Sequence, residues 1–307
     1  MPEAAEIEIP EPVPLWLPGG AVRGPLAPFV EPRRVLDHGF VQLLDVMGSD
    51  EAIEEAARTS YAPGARPRHV RRSLIRYMMR HRHSSPFEMV EIKVRVCLPI
   101  VVERQWIRHR TANTNELSGR YSELPEVVYI PEASEVCYQS SENRQGRSGP
   151  VDPELAERVR EDMQAVSAAA FASYREFRAA NVSRETARMH LPLSTYTTKV
   201  WKIDGNNLLR FLSLRLAPDA QWEIREYAAA LAEIVRVWLP LTWEAFVDYE
   251  LEGARLSRAE LRVIRELVAC LPAENIKMLR ARAMELGASG REASEFIRLI
   301  GSDPGAL

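Results

Sequence analysis

Three cysteines in 307 residues, Cys97, Cys137 and Cys270, are too few and too scattered to make a disulfide framework. None belongs to a Cys-x-x-Cys pair and no histidine stands at ligand spacing beside them, so a structural zinc site is not expected either. A reducing, cytoplasmic setting fits this thiol usage. Runs of about 18 apolar residues are also missing, which argues against a membrane-spanning helix. The N-terminus is acidic and proline-rich where a signal peptide would be basic and then apolar, so secretion by that route is not expected. There is little net charge: 40 Lys plus Arg against 43 Asp plus Glu leave −3. No global basic field draws the chain onto nucleic acid or anionic lipid, and any anion binding must be local. The glycines near Gly19, Gly20 and Gly24 lack the G-x-G-x-x-G order of a phosphate loop and read as a turn.

What is present is a globular composition, 46% hydrophobic and 27% charged, able to bury a substantial core. Eight of the 21 prolines fall in residues 1–32, so residues 1–35 read as an extended arm. A main domain over 36–250 and a small helical extension over 254–307 should follow. Helices are expected over 50–58, with Asp50 as N-cap, and over 71–81. Residues 91–98 read as a strand with Ile92, Val94, Val96 and Leu98 on its core face. Pro99 should open a short helix reaching about His109. Residues 111–121 and 133–150 are polar and aperiodic and read as loops. Asp152 and Pro153 signal a long helix whose expected core face is Leu155, Val159, Met163, Val166, Ala170, Phe171 and Phe177. Further helices are expected over 183–191, 206–216 and 219–238. In the extension they are expected over 257–270, opened by a Ser257/Glu260 capping box, then 273–286 and 291–300. Strand and helices together predict an α/β or α+β fold.

The densest chemistry lies between Glu103 and Ser122, where Arg104, Arg108, Arg110 and Arg120 crowd beside Gln105, His109, Glu116 and Ser118. Guanidinium forks match phosphate oxygens two at a time, so this concentration points to a phosphate-bearing ligand. Helical spacing would let Arg104, Gln105 and Arg108 reach one region. An extended loop would aim Glu116, Ser118 and Arg120 the same way. Arg188 and Arg215 are flanked by apolar residues and should turn inward; an internal salt bridge to Glu185 or Glu223 and a ligand contact both satisfy that position. His109 between two arginines should stay neutral. His83 lies in a turn, as a surface residue or a ligand contact. With no convincing protein nucleophile and no metal cluster, the chemistry points to an organic cofactor.

Arg108-His109-Arg110, seven residues, then Ser118, within the longer Arg-His-Arg-x-x-x-x-Asn-Glu-x-Ser-x-Arg-Tyr ending at Tyr121, resembles the signature of the ThyX family of flavin-dependent thymidylate synthases. The likeness extends to Phe40–Gly48, His83-x-x-Pro86-Phe87-Glu88, Arg104-Gln105-Trp106, Leu191-Pro192-Leu193 and Ala220-Gln221-Trp222-Glu223, about residues 36–250. It implies that family's fold, a central sheet with long helices, and a homotetramer sharing active sites at subunit interfaces. It also implies synthesis of dTMP from dUMP with 5,10-methylenetetrahydrofolate, FAD and NADPH, without a cysteine nucleophile. By matching position, Arg215 resembles the catalytic arginine that stabilises charge on the uracil. Residues Gln105, Trp106, Ile107 and Arg108, then Glu116, Leu117, Ser118, Gly119 and Arg120, with Arg188, resemble the dUMP contacts. His83, Ser85, Arg108, His109, Arg110, Glu116, Asp204, Asn206 and Arg210 resemble the FAD contacts. The chain departs from the family's frequent residues at Asn113, Asn206 and Arg210.

A reading from another class is a non-catalytic nucleotide- or RNA-binding protein, motivated by the arginine density and the helical extension; it predicts a colourless protein whose affinity falls steeply with salt. A flavoprotein that methylates uracil within RNA would need a wide basic groove, which the net charge does not supply.

Overall fold

Five antiparallel strands form the large sheet of this protein, in the order β1 (Arg33–Val35), β2 (Gly39–Met47), β3 (Glu91–Pro99), β7 (Tyr196–Asp204) and β4 (Ala112–Glu116). The computed structural model describes residues 24–60 and 70–301, which divide into two units between Glu252 and Gly253. Residues 1–23 of the expected arm lie outside the described residues. Over residues 24–35 the chain is not the expected extended arm but a 3-10 helix at Gly24–Val30 and strand β1 at Arg33–Val35. β2 spans Gly39–Met47; Gly39 is required there, because a Cβ would lie 2.8 Å from the Cys97 carbonyl and into the Tyr227 hydroxyl.

Helix α1, Asp50–Arg58, is capped by Ser49, whose hydroxyl accepts from Glu51 N at 3.2 Å. Asp50, the expected cap, is instead the first helical residue and is buried. Its carboxylate accepts from Leu241 N at 2.8 Å, from Thr242 N at 3.1 Å and from the Thr242 hydroxyl at 2.6 Å. It thus caps another helix across the fold, a partner that local sequence cannot reveal. Helix α2 covers Arg71–Arg80.

β3 runs over Glu91–Pro99 and buries Ile92, Val94, Val96 and Leu98 as its alternation predicts. Helix α3, Ile100–Trp106, ends three residues before His109. Residues 112–116, expected as loop, are strand β4, Ala112–Glu116, pairing with β7 from Ala112↔Ile203 to Glu116↔Lys199. Its polar residues suit a short, exposed sheet edge, which is why composition alone suggests a loop. The expected loop at 133–150 contains a hairpin, β5 at Cys137–Gln139 with β6 at Arg147–Pro150.

Helix α4, Pro153–Ala179, is capped by Asp152 to Leu155 N at 3.0 Å. Its buried positions are Ala156, Ser167, Phe171 and Tyr174; of the expected core face, Val166 and Phe177 are exposed. The apolar stripe on α4 is wider than the surface this chain covers. Instead of one helix over 183–191 there is a single turn, α5 at Arg184–Ala187, and a 3-10 turn at Arg188–His190.

β7, Tyr196–Asp204, lies between β3 and β4 and escapes the sequence reading altogether. Its buried face is Thr197, Lys199, Trp201 and Ile203, while Val200 is half-exposed. A lysine on the buried face and a valine on the other invert the polarity rule that exposes a strand by period. Helix α6, Gly205–Arg215, follows, and then α7, Trp222–Trp238, whose Ile224, Tyr227, Leu231, Ile234 and Val235 are buried in the core. Each such side chain contributes about 1.5–3 kcal/mol by burial. Helix α8, Pro240–Phe246, continues into a π-helical turn at Val247–Leu251.

The second unit consists of α9, Arg258–Ala269, α10, Ala273–Glu285, and α11, Gly290–Gly301. The Ser257/Glu260 capping box is present on α9, both of its bonds made. Among the described residues no helix is long and apolar enough to cross a membrane.

Candidate active site

The end of α3, the edge strand β4 and the inner face of β7 meet around a cleft of about 220 Å³ whose lining includes Glu103, Trp106, His109, Arg110, Lys199 and Trp201, and the last turn of α6 reaches its His109 through Arg215. Its floor is aromatic. Trp106 and Trp201 meet edge to face at 5.1 Å between ring centroids, and Phe211 lies 4.8 Å from Trp106. Lys199 Nζ sits 4.3 Å from the Trp106 ring and donates to Glu103 Oε2, with both side chains buried. Burial dominates on both partners, pulling the ammonium down to about 8 and pushing the Glu103 carboxyl up. Glu103 Oε1 and the Trp106 indole N–H have no hydrogen-bond partner.

His109 and Arg215 form the second feature. Arg215, at the C-terminus of α6, donates from Nε to His109 Nε2 at 3.1 Å and from a terminal nitrogen to the Gln105 carbonyl at 3.1 Å. Accepting through Nε2 leaves the neutral imidazole's proton on Nδ1. Burial, then the charges of Arg215, Arg210 and Lys199, hold His109 down to about 4. Its neutrality is therefore as expected, but the cause is burial and arginines remote in sequence, not its chain neighbours. Both Arg215 partners are neutral: they orient the guanidinium without cancelling its charge.

Arg188 and Arg215 do not pair with the carboxylates foreseen for them. Glu185 lies 3.6 Å from Arg120, and Glu223 lies 3.2 Å from Arg147. Among the described residues Arg108, Arg110, Arg188, Arg210 and Arg215 have no carboxylate within ion-pair distance. Arg104 and Arg108 are exposed, and because α3 stops at Trp106 they do not share a helical face.

Glu116, on the last residue of β4, accepts from the buried Thr197 hydroxyl at 2.8 Å. Beyond it Leu117 N still donates to Thr198 O at 2.8 Å, but Ser118 turns the chain, accepting from Tyr121 N and Ser122 N. The extended spacing of Glu116, Ser118 and Arg120 is therefore not realised. The turn is tight: a Cβ on Gly119 would lie 3.1 Å from Arg188 Cδ and 3.0 Å from Leu124 Cγ, so glycine lets it close on the Arg188 stem. Ile107 is exposed, while Trp106 is fully buried in the floor.

At the other end of β4, Ala112 faces Ile203, one residue from Asp204. Asp204 caps α6, accepting from Asn207 N at 2.9 Å and from the Asn207 amide at 2.7 Å. Gly205 packs against the 3-10 turn Ser85–Met89, where a Cβ would lie 2.7 Å from Phe87 O, so Ser85 and Asn206 belong to neighbouring elements. His83 stays exposed, its ring 5.7 Å from Tyr77. Arg210 is exposed one turn into α6. Burial pushes the Cys97 thiol up to about 11, which leaves it a poor nucleophile, and no cluster of metal-ligating side chains occurs among the described residues. Glu103, Thr197, Lys199 and Trp201 are the site residues that sequence reasoning missed; the one available signal was the alternation from Thr197 to Ile203.

Residues 42–241 match the family model described as thymidylate synthase complementing protein. A flavin-dependent thymidylate synthase of Thermus thermophilus is 52% identical over 234 residues, 76% of this chain and 85% of the relative. That of Anaplasma marginale is 45% identical over 270 residues, 88% of this chain and 90% of the relative. Among solved structures, a UMP/dUMP methylase from Streptomyces cacaoi bound with 5-bromo-UMP superposes with a TM-score of 0.64 at 34% identity, covering 69% of this chain and 95% of that one.

Proposed function

The chain belongs to the family of flavin-dependent thymidylate synthases, and from that membership we propose that it converts dUMP to dTMP, with 5,10-methylenetetrahydrofolate as carbon donor, FAD as the flavin and NADPH as reductant. The observation that carries this reading is Arg215, a half-buried cation fixed by the neutral His109 and a carbonyl. A pinned, uncancelled charge in a partly dry cleft stabilises negative charge developing on a pyrimidine, without paying for reorganisation when the charge appears.

The residues fit a flavin dinucleotide. Arg108, Arg110 and Arg210 have no carboxylate partner among the described residues, which complements a pyrophosphate, and Ser85 and Asn206 add neutral polar groups. When bound, the flavin supplies the hydride that completes the methyl group. The protein's own part is to bind and orient. Arg188 and Arg120 would take the nucleotide phosphate, with Ser118, Gln105 and Glu116 on the sugar and base. Burial beneath Trp106 and Trp201 keeps water from the floor. No cysteine is needed as nucleophile.

The exposed apolar residues Val166 and Phe177 on α4 support a homotetramer whose subunits complete one another's sites. The cytoplasm is the compartment where these nucleotide and folate substrates are expected.

The test is anaerobic addition of NADPH to the flavin-loaded protein, with and without dUMP. Flavin bands that bleach faster with dUMP, and dTMP formed once methylenetetrahydrofolate is added, are the expected result. A protein that takes up no flavin would return the reading to a non-catalytic nucleotide binder.

A further inference from the structure

We propose that Arg147, Glu223 and Gln221 form a positioning relay that fixes which end of the Gln105 carboxamide is offered to the substrate. The inference rests on the dUMP reading of the site. It starts from donors and acceptors that have no choice: a guanidinium donates and a carboxylate accepts. Glu223 is buried at the start of α7. Its Oε1 accepts from Arg147 at 3.2 Å and from the Tyr129 hydroxyl at 3.4 Å, and its Oε2 accepts from Gln221 Nε2 at 2.7 Å.

With its amide nitrogen committed to that carboxylate, Gln221 presents Oε1 to Gln105. Gln105 in turn must donate from Nε2, as it does. The oxygen of Gln105 is left without a donor among the described residues. A carboxamide is nearly symmetric in shape and turns over readily when nothing distinguishes its ends. Here the distinction is imposed from the β5–β6 hairpin, 42 positions along the chain (147 against 105). Arg147 is itself fixed, donating to the Glu135 carbonyl at 2.7 Å with its guanidinium 5.7 Å from the Trp222 ring centroid.

The relay therefore makes Gln105 an acceptor toward the ligand and selects an N–H or O–H donor there. On a pyrimidine nucleotide that donor is either the imide N–H of the base or a sugar hydroxyl.

The experiment is a double-mutant cycle on the flavin-loaded full chain: wild type, Gln221→Leu, Gln105→Leu and the double variant. Dissociation constants for dUMP come from titration of the flavin spectrum, alongside kcat and the melting temperature. Gln221→Leu is expected to weaken dUMP about tenfold with melting temperature nearly unchanged, Gln105→Leu to weaken it at least as much, and the double to be no weaker than Gln105→Leu. Repeating the titration with 3-N-methyl-dUMP and with the 3′-deoxy analogue identifies the donor, as the analogue that lacks it loses its sensitivity to Gln221→Leu. Wild-type affinity in Gln221→Leu, additive losses in the double variant, or full sensitivity with both analogues would overturn the relay while leaving the synthase reading standing. A wild-type protein that neither binds dUMP nor makes dTMP would overturn both.

Discussion

The floor and the rim of the cleft are built on opposite principles. In the floor, Glu103, Trp106, Lys199 and Trp201 are all buried, come from two adjoining elements, and hold one another by an ion pair and edge-to-face rings. On the rim, Ser118 to Ser122 is a turn, Arg120 is exposed, and its contact with Glu185 joins two exposed side chains. Charge is costly to place in the floor and cheap on the rim, so the same kind of ion pair carries different weight in the two regions. A buried pair fails badly when one member goes; an exposed one is free to exchange its carboxylate for a ligand's phosphate.

The contrast can be tested from its strongest consequence downward. Arg215→Ala removes the pinned cation and should lower dTMP formation by at least about a hundredfold while flavin absorbance is retained, as followed by product assay and spectrum. Turnover near that of the wild type would mean that the cation pinned at His109 does not act on the reaction.

Glu103→Ala leaves the Lys199 ammonium buried without its carboxylate. Urea unfolding should show a loss of about 3–5 kcal/mol, much of it recovered in Glu103→Ala with Lys199→Met. Equal losses in single and double variants would show that the pair is not coupled.

His109 gives a subtler handle. Its folded value, about 4, lies below the ordinary 6.5, so between these limits the unfolded chain takes up a proton that the folded protein refuses. Stability from this group is complete above 6.5 and falls as the pH drops toward 4. Comparing His109→Gln with wild type across that window should remove about one proton from the slope of stability against pH; parallel curves would place His109 in solvent.

The smallest structural effect belongs to the rim. Arg120→Ala should leave the denaturation midpoint almost unchanged while raising the KM for dUMP about tenfold. A large loss of stability would show that the rim is built like the floor.

The same contrast explains what could be read from the chain. Rim residues carry their chemistry in a contiguous string, Arg108 to Tyr121, so their residue types are visible before any folding. Helix ends were legible where the cap is local, as at Asp152 and Ser257. They were misread where the partner is distant, as at Asp50, whose carboxylate caps a helix through Leu241, 191 residues away. β4 was hidden because an exposed edge strand has no apolar face, and β7 because its buried face carries Thr197 and Lys199. Lys199 looks like a surface residue until Glu103 is placed opposite, and only the packing of α3 on the sheet places it there.

β7 has one further consequence, for folding fidelity. It is paired along both edges, by β3 and by β4, and its register sets Lys199 opposite Glu116 and Val96. A slip of one residue would turn Lys199 and Trp201 outward and drive Thr198, Val200 and Lys202 into the interior. That misaligned sheet would lose the Glu103 ion pair, the edge-to-face indole contact and the Thr197 contact to Glu116 together. The hydrogen-bond ladder that completes the fold therefore also proofreads the site: a chain that has mispaired this strand has no cleft with which to act.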